Sequence, residues 1–385
     1  MNNRVKLVSQ HIKLHRRSLL QMGGTAAVLA SVSPWASAQG GNGRSPMVGQ
    51  IADSSNAYQD ISKDFVIGSR AAWQEINAAG GLRGQRVRHL VIETDGSAAQ
   101  RDAAWLQLRD DDSCVSAFGS CADPLAAELT IKNSAERNEL AHAAPWLQNS
   151  AIDISRGTFP IFSGREQQIH HALKNMTTVG IRSLTVVYQS ERERSGNSED
   201  IKRIAQKMNL ALREMPVQAD LKAQAQQISA TSVPLILFVG GTPELVQFTQ
   251  GWSRSSGIRY IVALADVNLQ TALQMNGGRH VPVIGTQAVP VVSSSVKIAR
   301  RYREALNKYF DEPPTALSLA GYISARYTAQ IMLSAKNLSR NAVYEAFVRR
   351  QSMDLEGFLI DIDNGRLTTA YVTQSMISLD GRVIG

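Results

Sequence analysis

From residue 46 onward, strand-length apolar runs alternate with helix-length amphipathic ones, and this alternation excludes most other architectures. Val48 to Ala52 reads as a strand, Asp60 to Ala79 as a helix halted by Gly80-Gly81, Val87 to Thr94 as a strand and Ala98 to Leu108 as a helix. A buried strand is expected at Val115 to Phe118, a helix over Pro124 to Ser134 and a strand over Leu140 to His142. Strands joined in this way need crossover helices, so the expected core is a parallel sheet with helices on both faces. After Thr158-Phe159-Pro160 the pattern restarts. It runs through helix Gln167 to Thr178, strand Leu184 to Tyr188, helix Asp200 to Met208, strand Leu235 to Val239, helix Pro243 to Trp252, and strands Tyr260 to Leu264 and Val283 to Ala288. Long helices follow at Val296 to Phe310, Ala316 to Ala335 and Arg340 to Arg350, and the tail from Phe358 alternates as a closing hairpin would. Two α/β lobes are the natural division.

The chain of 385 residues carries a formal charge of +8, which would suit a nucleic-acid or anionic-membrane partner. Its distribution argues otherwise. Residues 1 to 38 hold Arg4, Lys6, Lys13, Arg16 and Arg17 and no acid, which leaves 36 basic and 33 acidic side chains for the remainder, a net +3. No dense basic run or interleaved aromatics track a phosphate backbone there, so no nucleic acid is expected as partner. The basic stretch precedes a short apolar segment, Met22 to Val32, and then Ala36-Ser37-Ala38, the order of an export signal. Arg16-Arg17 before Ser18-Leu19-Leu20 resembles a twin-arginine signal. Cleavage after Ala38 and a periplasmic mature chain are expected.

Catalytic and metal motifs are missing. There is no G-x-S-x-G elbow, no phosphate loop, no H-E-x-x-H and no complete G-x-G-x-x-G after a strand. Asp110-Asp111-Asp112 reads as a solvated turn, since burying three adjacent anions is prohibitive. Cys114 and Cys121 flank an extended strand at ~3.3 Å per residue, which holds their sulfurs too far apart to bond, so two free thiols are expected. Without C-x-x-C or paired His spacing, no metal or other cofactor is implied, and no enzymatic activity is expected.

The most specific segment is Glu75-Ile76-Asn77-Ala78-Ala79-Gly80-Gly81-Leu82-Arg83-Gly84-Gln85-Arg86-Val87, a helix stop, a second turn and a strand start. Its wording closely resembles the extracytoplasmic solute-binding proteins of the branched-chain amino acid (leucine/isoleucine/valine) type, in which I-N-A-x-G-G-[IL]-x-G marks this junction. Supporting segments agree in order: Gly49 to Asn56, Thr94-Asp95, Phe118-Gly119-Ser120-Cys121, Val239 to Glu244, Gly285-Thr286 and Gly321-Tyr322, the last read as opening a late helix. The resemblance covers roughly residues 46 to 385 and implies a type I periplasmic binding fold, two Rossmann-like lobes with parallel sheets flanked by helices and joined by three crossovers. Lobe one would take 46–164 and 290–365, and lobe two 165–289 and 366–385.

Ligands of open α/β sheets sit beyond the carboxyl ends of the strands, so the strand-end loops are the candidate site. Ser120, Cys121, Ala122 and Asp123 follow a buried strand and offer backbone N–H groups and a hydroxyl to a carboxylate; equally, Ser120 or Asp123 caps the helix that opens at Pro124. Ala143 and Ala144 allow close backbone approach. The resemblance implies a hydroxyl residue after this pair, whereas here Pro145-Trp146 supplies ring surface. Asp266 falls where the family carries the acid that meets a ligand ammonium; its structural alternative is to cap the helix beginning near Asn268. Thr242 is a second contact from the same lobe, and Tyr58 and Trp146 are candidate aromatic walls. The family's Tyr-Gly pair after the strand ending at Tyr188 is replaced by Glu191-Arg192-Glu193-Arg194-Ser195-Gly196.

The expected function is capture of a small polar solute, an amino acid or related amide or carboxylate, by a monomeric binding protein that delivers it to an inner-membrane ABC permease. The same fold would serve a ligand-sensing subunit of a membrane signalling receptor. An exported enzyme is the third reading.

Overall fold

The structure, a computed structural model, describes residues 45–136, 138–149, 156–252, 259–278, 280–349, 351–363, 366–368 and 371–385. The expected leader with its arginine pair and cleavage site lies outside these, as do Asn364 and Gly365 of the expected tail turn.

Strands β1 (Met47–Asp53), β2 (Arg88–Thr94), β3 (Cys114–Phe118), β4 (Ala141–Ala143) and β5 (Thr158–Phe159) form one wholly parallel sheet in the order β2-β1-β3-β4-β5. Helices α1 (Gln59–Ala78), α2 (Ala98–Asp110) and α3 (Asp123–Glu136) make its first crossovers. The chain then enters a second unit with α4 (Arg165–Thr178), β6 (Ser183–Tyr188), α5 (Glu191–Lys207), β7 (Ala211–Glu214), α6 (Leu221–Ser229) and β8 (Leu235–Val239). α7 (Thr242–Gln250), β9 (Tyr260–Ala263), α8 (Leu269–Gln274) and β10 (Val283–Gln287) complete it. The parallel strands of this second sheet stand in the order β7-β6-β8-β9-β10, which repeats the order of the first sheet.

Helices α9 (Lys297–Tyr309), α10 (Ala316–Ser334) and the shorter α11 (Arg340–Val348) return to the first sheet and share one hydrophobic core with β1, α1 and β3. The small pairs β11 (Met353–Leu355) with β12 (Phe358–Ile360), and β13 (Ile362–Asp363) with β14 (Arg366–Leu367), lead back. Finally β15 (Thr373–Ile377) pairs antiparallel with β10, and β16 (Val383–Ile384) with β15. The expected closing hairpin is present as β15 and β16 about Asp380-Gly381, and it forms one edge of the seven-stranded sheet.

The Asn77 to Val87 block has a physical cause. α1 buries Ile61, Phe65, Val66, Trp73 and Ile76 and then must reverse. Gly80 (φ 100°) and Gly81 (φ 75°) take left-handed conformations, and a Cβ on Gly81 would sit 2.0 Å from the Gln85 carbonyl oxygen. Asn77 clamps the turn, its amide donating to the Val87 carbonyl at 2.9 Å while its oxygen accepts from the Val87 N–H at 2.9 Å.

Four local readings need correction. α5 begins at Glu191, capped by Ser190, rather than at Asp200, because acidic residues in a first turn offset the poor propensity of Ser195-Gly196. α4 begins at Arg165, not Gln167. β7 and α6 lay inside what read as connection: β7 alternates exposed and half-buried residues at a sheet edge, and α6 spans only 9 residues. Gly321 sits inside α10 rather than opening it.

Cys114 and Cys121 are free, as their spacing implied, and both are fully buried. Burial pushes each thiol up to about 12. Native protein should therefore leave a disulfide-exchange reagent such as Ellman's unreacted, with both thiols titrating only at the rate of unfolding. Rapid labelling under native conditions would refute their burial.

Candidate functional site

Because both sheets share the strand order 2-1-3-4-5, each has a switch point between its first and third strands, where loops diverge and leave a crevice. The loop after β1 contributes Tyr58 and the first turn of α3, which follows β3, contributes Asp123 to a cavity, and the loops after β6, β8 and β9 contribute Gln189, Gly240-Gly241 and Asp266. The first turn of α4 adds Arg165 and the first turn of α5 adds Glu193. The cavity is ≈ 20 Å³, enough for one ordered water but too small for an amino-acid-sized solute in this arrangement.

Arg165 is the centre of the site. Its guanidinium lies 2.8 Å from Asp266, 3.3 Å from Glu193 and 3.4 Å from Asp123, and all four side chains are 13% exposed or less. Burial opposes the Arg165 charge, yet the Asp266, Asp123 and Glu193 carboxylates together hold its pKa above the ordinary value. Burial also raises the pKa of Asp123 and Glu193, and Arg165 offsets this only in part. Asp266 accepts a second hydrogen bond, at 2.9 Å, from the indole N–H of Trp146. Asp123 accepts from the backbone N–H groups of Gln148 (2.6 Å) and Asn149 (2.8 Å). A second tie lies close by: Asn268 donates to Asp64 on α1 at 2.7 Å while its side-chain oxygen caps α8 through Gln270 and Thr271. The loop after β9 is thus fastened to the first half of the molecule through both Asp266 and Asn268.

Of the sequence candidates, Tyr58, Asp123 and Asp266 line the cavity. The others are buried with polar groups engaged elsewhere. The Ser120 hydroxyl is 2.7 Å from Nε2 of His142, whose Nδ1 is 3.3 Å from Thr158 Oγ1; burial lowers the His142 pKa to about 3, so the ring is neutral. The Cys121 N–H donates to the Ile51 carbonyl, and Ala122 turns the chain into α3 at φ 84°. The Ala143 carbonyl accepts from the Gly119 N–H, and the Ala144 N–H donates to the Phe159 carbonyl. Trp146 packs edge-on against Phe65 and Phe162 behind the acids. The Thr242 hydroxyl accepts from the Asn268 N–H.

Three further inferences from sequence change. Asp266 does not cap α8, because Asn268, one residue before the helix, does. Nor does its burial by itself demand a ligand ammonium, since Arg165 supplies the cation within the chain. Likewise Asp123 belongs to α3 and spends its carboxylate on the loop at Gln148-Asn149. Arg165 was passed over in the sequence, whereas Glu193 lies in the charged segment that stands in place of the family's Tyr-Gly pair.

With this geometry in place, relatives can be compared. Residues 47–376 match the sequence model of the periplasmic binding protein family. The chain belongs to that family. Solved structures share its fold at low identity. An extracellular ligand-binding receptor from Verminephrobacter eiseniae has 19% identity and a TM-score of 0.77, with 89% of this chain and 100% of that one covered. A leucine-binding protein from Thermotoga maritima has 15% identity and a TM-score of 0.71, with 88% and 97% covered. A fatty acid ABC transporter substrate-binding protein from Thermomonospora curvata has 15% identity and a TM-score of 0.71, with 88% and 90% covered. No curated relative matches in sequence. Among the described residues no helix is long and apolar enough to cross a membrane, and no group of His, Cys, Asp and Glu is placed to hold a metal ion. A solute-binding role outside the cytoplasm follows from the family.

Proposed function

We propose that this protein is an exported, monomeric substrate-binding protein that encloses a small polar solute between two lobes and delivers it to an ABC-type membrane permease. Lobe one is taken as residues 46–164 with 290–365, and lobe two as 165–289 with 366–385. The observation that carries this is the cavity at the two switch points, lined by strand-end loops of both sheets and crossed by Trp146–Asp266 and Arg165–Asp123. Contacts made by both lobes exist together only when the lobes are closed, so a solute that completes them shifts the equilibrium toward closure. With a cavity of ≈ 20 Å³, entry of the solute requires the lobes to part first.

Denaturing protein purified from an exporting host, and identifying the small molecule released by mass spectrometry, tests the assignment. The molecule added back should raise the melting temperature, since a ligand at 100 times its Kd stabilises by about 2.7 kcal/mol. It should also change tryptophan emission in the native protein and not in Trp146→Phe. No released molecule, and no thermal shift across amino acids, amines, amides and carboxylates, would defeat it.

A further inference from the structure

The charge lining the cavity does not balance. Asp123, Glu193 and Asp266 face one guanidinium, three negative groups against one positive, which leaves a formal −2. Two more acids stand at the rim, Glu244 beside Gly241 and Asp60 near Glu244. Arg192 also acts on Glu193 and Tyr58, but its side chain is exposed and its field is screened by solvent.

Three donors that could clasp a carboxylate are already committed. The Ser120 hydroxyl pairs with His142. The Gly241 N–H, at the N-terminus of α7, donates to the Gln189 side-chain oxygen at 2.7 Å. The Trp146 indole N–H is held by Asp266. Arg165 is equally unavailable, because a ligand carboxylate that captured it would strip three buried acids of the cation that pairs with all of them. Tyr58 meanwhile offers an aromatic face, to which cations are drawn.

Resting on the solute-binding reading above, we infer that the cleft selects small amines of net positive charge and rejects solutes presenting a carboxylate, zwitterionic α-amino acids included. A single positive group reduces the surplus to −1 and a diamine cancels it, so affinity should rise with ligand charge.

Calorimetric titration of the full mature protein with 1,4-diaminobutane, butylamine, leucine and succinate tests this. The diamine is expected to bind at least tenfold more tightly than leucine, butylamine to lie between them, and succinate not to bind. Glu193→Gln should weaken diamine binding at least fivefold without lowering the melting temperature, because it removes surplus charge and keeps the shape. Tighter binding of leucine or succinate than of either amine, or a Glu193→Gln protein with unchanged amine affinity, overturns the inference. If none of the four binds, the molecule released on denaturation decides: a net cation upholds cation selection, whereas a zwitterion or anion overturns it and leaves solute capture intact. Release of nothing, with no binding by any probe, removes both.

Discussion

Arg165→Met should cost about 3–5 kcal/mol of stability at neutral pH, the range seen when one partner of a buried ion cluster is deleted. Met matches the length of the Arg stem but brings no charge, and it leaves Asp123, Glu193 and Asp266 facing one another at 13% exposure or less. The sign of the pH dependence follows. In the wild type, Asp123 and Glu193 already titrate above their ordinary values because of burial, with Arg165 acting to lower them. Deleting the cation raises both further, so the folded variant binds more protons than its unfolded chain from the ordinary carboxylate range up to the raised values. Its stability therefore falls as pH rises through that window. The difference between wild type and variant should be largest at neutral pH and shrink toward pH 5. Urea titrations of both proteins across this range measure it, and a difference independent of pH would show that the cost is lost packing rather than unpaired charge.

A second large effect lies where two helices cross. α1 and α10 cross with their backbones in contact: a Cβ on Gly68 would lie 1.7 Å from the Ser318 carbonyl oxygen, and one on Gly321 would lie 1.9 Å from that of Phe65. Ser69 braces the crossing by donating to the Gly321 carbonyl at 3.2 Å. Neither obstacle is a side chain able to rotate away, so Gly321→Val must force the helices apart and open the core they share with β1. A loss of upwards of about 3 kcal/mol is expected, with the variant recovered mainly as aggregate. Gly196→Ala is the control. It too sits in a helix, α5, yet nothing lies within 4 Å of its added Cβ, so a gain of roughly 0.5–1 kcal/mol should result. Denaturation midpoints of the two variants separate steric exclusion from helix propensity, and a stable Gly321→Val protein would contradict the close crossing.

Strands and helices with strong periodicity were legible to within a few residues, because burial on both faces leaves near-continuous apolar runs such as Leu235–Val239. The motif at Asn77 to Val87 was legible for the same reason that it is distinctive: a reversal requiring two left-handed glycines and an amide clamp tolerates few other sequences. The weak elements were not. β7 has an edge pattern, and the start of α5 is polar throughout, so neither leaves a hydrophobic period to count. For the site, the crevice loops followed from topology, and Tyr58, Asp123 and Asp266 lay on them. Arg165 did not stand out, because one basic residue opening a helix looks like any other. Its meaning comes from acids 42 residues before it and 28 and 101 after it, which only the tertiary fold gathers. The indole bond from Trp146 to Asp266, with a separation of 120 positions, was equally invisible.

The last strands of the chain impose an order on biosynthesis. β10 finds its outer neighbour only in β15, where Val283 meets Ile377 and Gln287 meets Thr373, and Thr373 also ties its hydroxyl to the Val289 carbonyl across 84 positions. A ribosome that has delivered everything through α11 has made a sheet whose final edge is still bare, a template for any passing strand. The pairing of Thr373–Ile377 with β10, rather than the completion of any earlier unit, is what makes this sheet safe from its neighbours.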